Sequence, residues 1–299
     1  MKENKQLKTG ILFALIAALI SGISIFYNKQ VVVSGIDPVV FNIIKNGGVA
    51  LILSLLLLRG RNRFEISRLI LDKKLIFIGV IGGSIPFVLF FQGLAHVPAI
   101  NANLIQKTLF IWVAIGAIPL LKEKINPLQI IGYLLVIFGN FFIGGLRGFS
   151  FSSYEGMILL ATLFWSAEII IAKTVLRNTS SESVAWGRMF FGSLVLILIA
   201  VFTGKIQTVT NLSVNQAAPI MGSITLLTLY VLTLYRALKI APATAVTSIL
   251  VLATLVTNIL STIFITHKIN NLLNFNSAAI LSGVFLISLG YQWRKKLTV

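Results

Sequence analysis

A few ionisable side chains lie inside long apolar stretches of the sequence, and these are the first candidates for chemistry. Lys107 follows Pro98 by nine residues, Lys45 lies among asparagines and glycines, and Glu168 is an acid deep in its own stretch. A charged side chain at the centre of a bilayer costs ~2.5–3.5 kcal/mol on insertion scales. Each of these residues therefore needs a partner or a function.

Two interpretations of these residues are open from the sequence. In the functional one, Lys107 binds a carboxylate or phosphate of a substrate, and Glu168 changes its protonation as it is exposed to each side of a membrane, which would couple transport to protons. In the structural one, Glu168 is a fixed partner of Lys107 or Lys45, or Lys107 binds backbone carbonyls in a helix gap.

Four further cations lie nearer the ends of apolar stretches. Arg188 could flank a central cavity opposite Lys45, but a long side chain near a helix end can also snorkel to the membrane surface. Lys29, Lys173 and Arg236 are interpreted as snorkelling.

Uncharged polar residues are more frequent in some apolar stretches than in others. They could bind a substrate, or they could form hydrogen bonds between helices, which are worth ~0.6 kcal/mol each. The predicted substrate-binding residues are Lys45, Gln92, Asn103, Gln106, Lys107, Trp165, Glu168, Tyr230 and Asn258. The sequence contains no cysteine and only two histidines, so neither a metal site nor a catalytic constellation is predicted.

The elements that must position these residues are ten apolar stretches of about twenty residues, enough for a helix to cross ~30 Å of hydrocarbon. A backbone in lipid must satisfy its own hydrogen bonds, so all ten are predicted to be transmembrane helices of an all-α polytopic protein. The predicted spans are 10–33, 38–58, 75–95, 99–121, 127–144, 155–176, 183–203, 216–238, 243–266 and 275–293.

The charge of the chain supports this topology. Hydrophobic residues make up 57% and charged residues 11% of the sequence, and the net charge is +17. Lys and Arg concentrate in segments on one side of the predicted spans, including 59–74 and both termini. Because cations stay in the cytoplasm, both termini are predicted to be cytoplasmic in an inner or plasma membrane, and no nucleic acid is expected as a partner.

The sequence repeats itself after 144 residues, and the repeat indicates mechanism. The matching positions are Leu94, Pro98, Ala99, Ile105, Ile115, Lys124, Ile125 and Asn126 with Leu238, Pro242, Ala243, Ile249, Ile259, Lys268, Ile269 and Asn270. Residues 1–148 and 149–299 each hold five predicted spans. Since five is odd, the second copy must be inverted in the membrane, as in carriers that alternate between two open states.

These residues carry a family resemblance. The relevant segments are Gly93–Ala99, Leu121–Ile125 and Gln129–Gly132 with Gly139, together with Ala237–Ala243, Gly283 and Gly290. They resemble two EamA domains of the drug/metabolite transporter superfamily. The resemblance implies a ten-helix carrier with a cavity between the third, fourth, eighth and ninth helices, joined by the first and sixth. One departure is His267, which stands opposite Glu123 where both repeats often have glutamate.

The sequence thus predicts an alternating-access transporter that exports a small polar metabolite such as an amino acid. An uptake permease or a channel-like protein for small organic solutes is the alternative, and a membrane-embedded enzyme is disfavoured. The expected partners are a small solute and membrane lipids, with the chain a monomer or homodimer. No cofactor is expected apart from proton coupling.

Overall fold

A computed structural model of the chain describes residues 2–60, 69–143, 152–210, 214–267 and 271–297, and these residues are helical with short connections and no strand. The helices, numbered in chain order, are α1 (Lys2–Val33), α2 (Pro38–Gly60), α3 (Lys73–His96), α4 (Ala99–Leu121), α5 (Pro127–Ile143), α6 (Ser153–Val175), α7 (Ser181–Phe202), α8 (Val214–Ile240), α9 (Ala243–Ile265) and α10 (Asn271–Leu297). A short helix, Ile206–Thr210, follows α7.

Eight of the helices are long and apolar enough to cross a membrane, judged on the described residues alone. The fifth and tenth predicted spans correspond to shorter apolar stretches, Pro127–Gly139 and Ser277–Gly290, so the count of ten crossings stays a prediction. Arg61, Arg63, Arg68, Arg147 and the repeat residues Lys268, Ile269 and Asn270 lie outside the described residues.

The helix starts follow the local sequence. Ser152 begins α6 in a capping box, because its side chain accepts from the Tyr154 amide while Glu155 accepts from the Ser152 amide. At α2 the Asp37 carboxylate accepts from the backbone amide of Val39. Pro98 and Pro242 precede α4 and α9, where a missing amide proton loses no helical hydrogen bond.

The two halves of the chain pack in opposite directions. The first part of α4, Ala99–Lys107, contacts the later part of α9, Ala253–Ser261, and the second part of α4 contacts the first part of α9. The other contacts come in matching pairs, since α1 packs on α8 as α3 packs on α6. The helix α5 packs along α10 with Gly132 against Gly283, where a Cβ on either glycine would lie 2.6–2.7 Å from the carbonyl oxygen of the other.

Three helices depart from regular α geometry. A π-helical segment, Gly79–Ser84, interrupts α3, and α4 is broken at Thr108. In α9 a 3₁₀ segment, Leu250–Leu252, occupies the corresponding place 144 residues later. Such breaks within helices are common at functional sites, and here they lie in the helices that meet between the two copies.

The register between the copies changes by one residue near the end of α9. Both α4 and α9 end at a left-handed residue, Lys122 (φ 56°) and His267 (φ 51°), and these are 145 rather than 144 positions apart. A π-helical segment, Thr262–Thr266, precedes His267 and accommodates the extra residue. His267 therefore corresponds structurally to Lys122, which corrects the expected match with Glu123.

Candidate functional site

A cavity lies between the two copies, and both contribute to its wall. Ser21, Ser24 and Ile25 of α1 line it from the first copy, and Trp165, Glu168 and Ile169 of α6 line it from the second. These two sets are 144 residues apart, so equivalent faces of equivalent helices enclose the space. The volume of the cavity is about 70 Å³.

Most of the predicted site residues meet at this cavity. Lys45, Gln106, Lys107, Trp165, Glu168 and Tyr230 all line it. Gln92, Asn103 and Asn258 are not among its lining residues. The substrate-binding role of every one of these residues stays a prediction.

Asn103 lies between helices. Its side-chain amide donates to the Ala253 carbonyl at 3.0 Å and to the Thr257 hydroxyl at 2.7 Å, and Thr257 in turn donates to the Gly22 carbonyl at 3.0 Å. This chain of hydrogen bonds ties α4, α9 and α1 together. In this conformation Asn103 fits the interpretation that such polar residues form hydrogen bonds between helices.

Glu168 pairs with Arg188, and not with Lys107 or Lys45 as the structural interpretation of the sequence had it. One Glu168 oxygen accepts from the Tyr235 hydroxyl at 2.5 Å, and the other lies 3.7 Å from the Arg188 guanidinium. Side chains of Glu168 and Arg188 are 0% and 5% exposed. A guanidinium has more donors in a fixed plane than an ammonium, so it can bind a carboxylate and a second acceptor at once.

Arg188 donates to the Tyr235 hydroxyl at 3.3 Å, and the irregular part of α3 provides a further acceptor. The Gly82 carbonyl accepts from Arg188 Nε at 3.1 Å and from Trp165 Nε1 at 3.0 Å. Gly83 approaches α7 so closely that an added Cβ would lie 1.9 Å from the Arg188 carbonyl oxygen. The π-helical segment thus draws α3, α6 and α7 together around the ion pair, which is why Arg188 is buried and does not snorkel.

Lys45 lies in an aromatic cage. Its ammonium is 3.6 Å from the ring centre of Phe91, 4.6 Å from that of Phe41 and 4.7 Å from that of Phe87, and it donates to the Asn42 side chain at 3.0 Å. Aromatic faces attract a cation without neutralising it. Lys45 is 1% exposed and makes no ion pair with a described residue.

Lys107 also has neutral partners. Its ammonium donates to the Ser21 hydroxyl at 2.9 Å and to the Gln106 side-chain oxygen at 2.9 Å. The residue is 4% exposed, and no carboxylate among the described residues lies within ion-pair distance. The cavity therefore holds one internal ion pair and two further lysines.

Comparison with known proteins identifies the architecture. The sequence model described as the EamA-like transporter family matches residues 8–145 and again residues 152–289. The chain belongs to the EamA-like transporter family. The predicted resemblance is thereby confirmed, and with it a membrane transporter of the drug/metabolite superfamily as the general class of this protein.

Structural comparison agrees with the family. A solved structure titled only "Crystal structure of protein" superimposes with a TM-score of 0.73, covering 96% of this chain and 99% of the other at 15% sequence identity. At that identity the similarity shows the shared fold alone. No curated protein matches the sequence.

Two lysines of this EamA-like transporter cap helix ends, which corrects their interpretation as snorkelling residues. Lys29 donates to the carbonyls of Leu94 and Ala95 at 2.7 and 3.0 Å. Lys173, 144 residues later, donates to the carbonyls of Leu238 and Ala241. A cation at a helix C-terminus interacts favourably with unpaired carbonyls and with the helix dipole. The same cap therefore recurs in both EamA repeats.

Glu123 joins the two EamA repeats at one end of the molecule. Its carboxylate accepts from the backbone amides of Ala243 and Thr244 at 2.7 and 3.1 Å, and from the Thr244 hydroxyl. A carboxylate at a helix N-terminus is stabilised by free amides and by the dipole. At the equivalent start of α4 no described side chain caps the amide of Ala99.

Several cavity residues of the EamA-like chain were missed from the sequence. Ser21, Ser24 and Asn28 form a polar stripe at helical spacing on α1 and all line the cavity, and that spacing could have indicated them. Tyr235 could not have been identified as the partner of Glu168, because the contact joins distant helices. Within the described residues there is no group of His, Cys, Asp and Glu that could hold a metal ion.

Proposed function

We propose that this EamA-like chain is an alternating-access carrier that exports a small polar metabolite bearing a carboxylate, with an amino acid as the first candidate. The observation that carries the proposal is the presence of Lys45 and Lys107, without carboxylate partners among the described residues, in a cavity enclosed by both repeats. A bound carboxylate would provide the missing negative charge.

The antiparallel packing of α4 and α9 supports an inverted repeat with its two-fold axis in the membrane plane. In the proposed topology ten helices cross an inner or plasma membrane, residues 1–148 and 149–299 form the two repeats, and both termini are cytoplasmic. Rocking of one repeat against the other would expose the cavity to each side in turn. A monomer or a homodimer is compatible with this arrangement.

Glu168 supplies a route to proton coupling. Its distance of 3.7 Å from Arg188 is longer than a hydrogen bond, so a substrate carboxylate could compete for the guanidinium while Glu168 stays bonded to Tyr235. A carboxylate displaced from its cation in a buried site favours the neutral form. Substrate and proton would then bind together as in a symporter, so export would be driven by the outward gradient of the solute.

The proposal is tested by flux in proteoliposomes that contain the purified protein. Uptake or release of a labelled amino acid panel is compared between the unmodified chain and Lys107→Gln, with the exposed Lys74→Gln as a matched control. Lys107→Gln should lower the apparent affinity about tenfold or more, the equivalent of one charged hydrogen bond. Unchanged affinity for every anionic or zwitterionic solute would remove Lys107 from the site.

The direction of transport needs a separate measurement. Export predicts that cells expressing the chain release more of the solute than cells without it, whereas an uptake permease predicts greater accumulation. A channel-like protein would show flux without acceleration by solute on the opposite side. Counterflow in the same proteoliposomes distinguishes a carrier from that alternative.

A further inference from the structure

The lysines of the transmembrane region fall into two kinds. Lys29 and Lys173 are half-buried, and each donates to two backbone carbonyls at a helix C-terminus. Lys45 and Lys107 are almost fully buried, and they have only neutral side-chain oxygens or aromatic rings as neighbours. The first kind is compensated by the ends of helices. The second kind has no such compensation.

The repeat also distinguishes these lysines. The helix-capping lysine recurs 144 positions later, as expected of a group that the fold requires. The position equivalent to Lys107 is Val251, so the fold forms without a cation there. Lys45 and Arg188 are each the eighth residue of their helix, but Arg188 faces Glu168 whereas Lys45 faces no carboxylate among the described residues.

The remaining charges of the cavity do not neutralise these lysines. Glu168, the acid that lines the cavity, already faces Arg188 and accepts from Tyr235. With the carboxylate of Glu168 and the guanidinium of Arg188 paired, both lysines are left without a carboxylate among the described residues. A buried ammonium group is stabilised by a neighbouring anion, so the site can accommodate a negative charge of a bound solute beside each lysine.

The two lysines are also held apart by different neighbours. Lys45 of α2 is fixed by Asn42 and the phenylalanine rings. Lys107 of α4 is fixed by Gln106 and by Ser21 of α1. Two ammonium groups that are anchored on different helices of one cavity offer two points of contact to anionic groups of a solute.

We infer that the solute carries two carboxylates, one for Lys45 and one for Lys107, so that a dicarboxylate or an acidic amino acid is the substrate class. The inference rests on the proposed function and narrows it. The unpartnered side-chain oxygen of Asn28 is a buried acceptor in the wall of the same cavity. It suits the ammonium group that an acidic amino acid would add.

The experiment measures ligand-induced stabilisation of the purified full-length protein in detergent. Succinate and glutamate are the probes with two carboxylates, and acetate and alanine are the matched probes with one. The melting temperature should rise at concentrations of succinate or glutamate at least tenfold lower than those needed for acetate or alanine. Lys45→Met and Lys107→Met should each abolish that difference, and the surface variant Lys239→Met should retain it.

The possible outcomes separate the inference from the proposed function. Equal response to one-carboxylate and two-carboxylate probes, with loss in Lys107→Met alone, overturns the inference and leaves the carrier proposal standing. A preference for succinate or glutamate that survives in Lys45→Met also overturns it. No response to any of the four probes, with folding verified by the ligand-free melting temperature, overturns both.

Discussion

The two EamA repeats agree in the residues that hold helices together and differ in the residues that face the cavity. Lys29 and Lys173 make the same cap, and Gly132 and Gly283 make the same contact. By contrast Glu168 corresponds to Ser24, and Lys107 corresponds to Val251. Residues that are the same in both copies are therefore interpreted as required by the fold. Residues that differ between the copies are interpreted as free to acquire a function. Substitutions of the two kinds should have opposite consequences.

The largest effect is expected at the contact between α5 and α10. Gly132→Ala or Gly283→Ala places a methyl group 2.6–2.7 Å from a backbone oxygen, which forces the helices apart and destabilises the protein by about 1–3 kcal/mol. Both substitutions should lower the melting temperature by a similar amount. Gly47→Ala, with no atom within 4 Å of the added Cβ, is the control. If alanine is tolerated at only one of these two glycines, the two sides of the contact are not equivalent and the prediction is wrong.

The next effect distinguishes helix-capping lysines from cavity lysines. Lys29→Met and Lys173→Met each leave two carbonyls without a donor and should lower stability by about 1–2 kcal/mol. Lys45→Met removes a buried charge from an apolar cage and should raise the melting temperature in buffer without carboxylates, because functional residues are commonly destabilising. If Lys45→Met lowers stability as Lys29→Met does, Lys45 is structural.

A smaller effect is expected at Glu123, which occurs in one copy only. Glu123→Gln weakens the cap at the start of α9 by about 1 kcal/mol and should favour opening at that end. Because the chain has no cysteine, Thr247→Cys provides a single labelling site in the cavity wall. A thiol-reactive reagent should label the Thr247→Cys variant roughly fivefold faster when Glu123→Gln is also present. His267→Gln should leave the rate unchanged, and equal acceleration by both would show that the two ends are equivalent.

The smallest effect is expected at a surface ion pair. Burial by itself would raise the pKa of Asp37, but hydrogen bonds from Lys205 and from the Val39 and Val40 amides outweigh it and lower the pKa below its usual value. The resulting stability is present above the unfolded pKa of ~3.9 and is lost as the pH falls through the folded value.

The comparison of Asp37→Asn with the unmodified chain measures this contribution. The variant should be less stable by under about 0.5 kcal/mol at pH 7, because the pair is partly exposed. The difference in melting temperature should shrink toward zero below pH 4, and Lys205→Met should reduce it at every pH. A difference that grows on acidification would contradict the assignment.

Much of the fold could be predicted because it depends on the lengths of the apolar stretches and on the residues at helix ends. The starts of α4 and α9 after Pro98 and Pro242 were visible in the sequence, since proline fixes a backbone angle locally. The register change before His267 was not visible. It arises from a π-helical turn, which leaves no clear signature in residue type.

The cavity could be predicted in part. Lys107 and Glu168 were identifiable because a buried charge is costly wherever it lies. Their partners were not, because the pairing of Glu168 with Arg188 depends on how closely Gly83 allows α3 to approach α7. Helix packing of that kind is a property of three chain segments together, and no single segment encodes it.

The extra residue in α9 has a consequence for the energetics of the cycle. In a carrier with two identical halves, a two-fold rotation would exchange the inward-open and outward-open states, and the protein itself would give them equal free energies. A π-helical turn present in one copy alone is one of the differences that remove this equivalence. The two end states of the solute-free protein are therefore expected to differ in free energy.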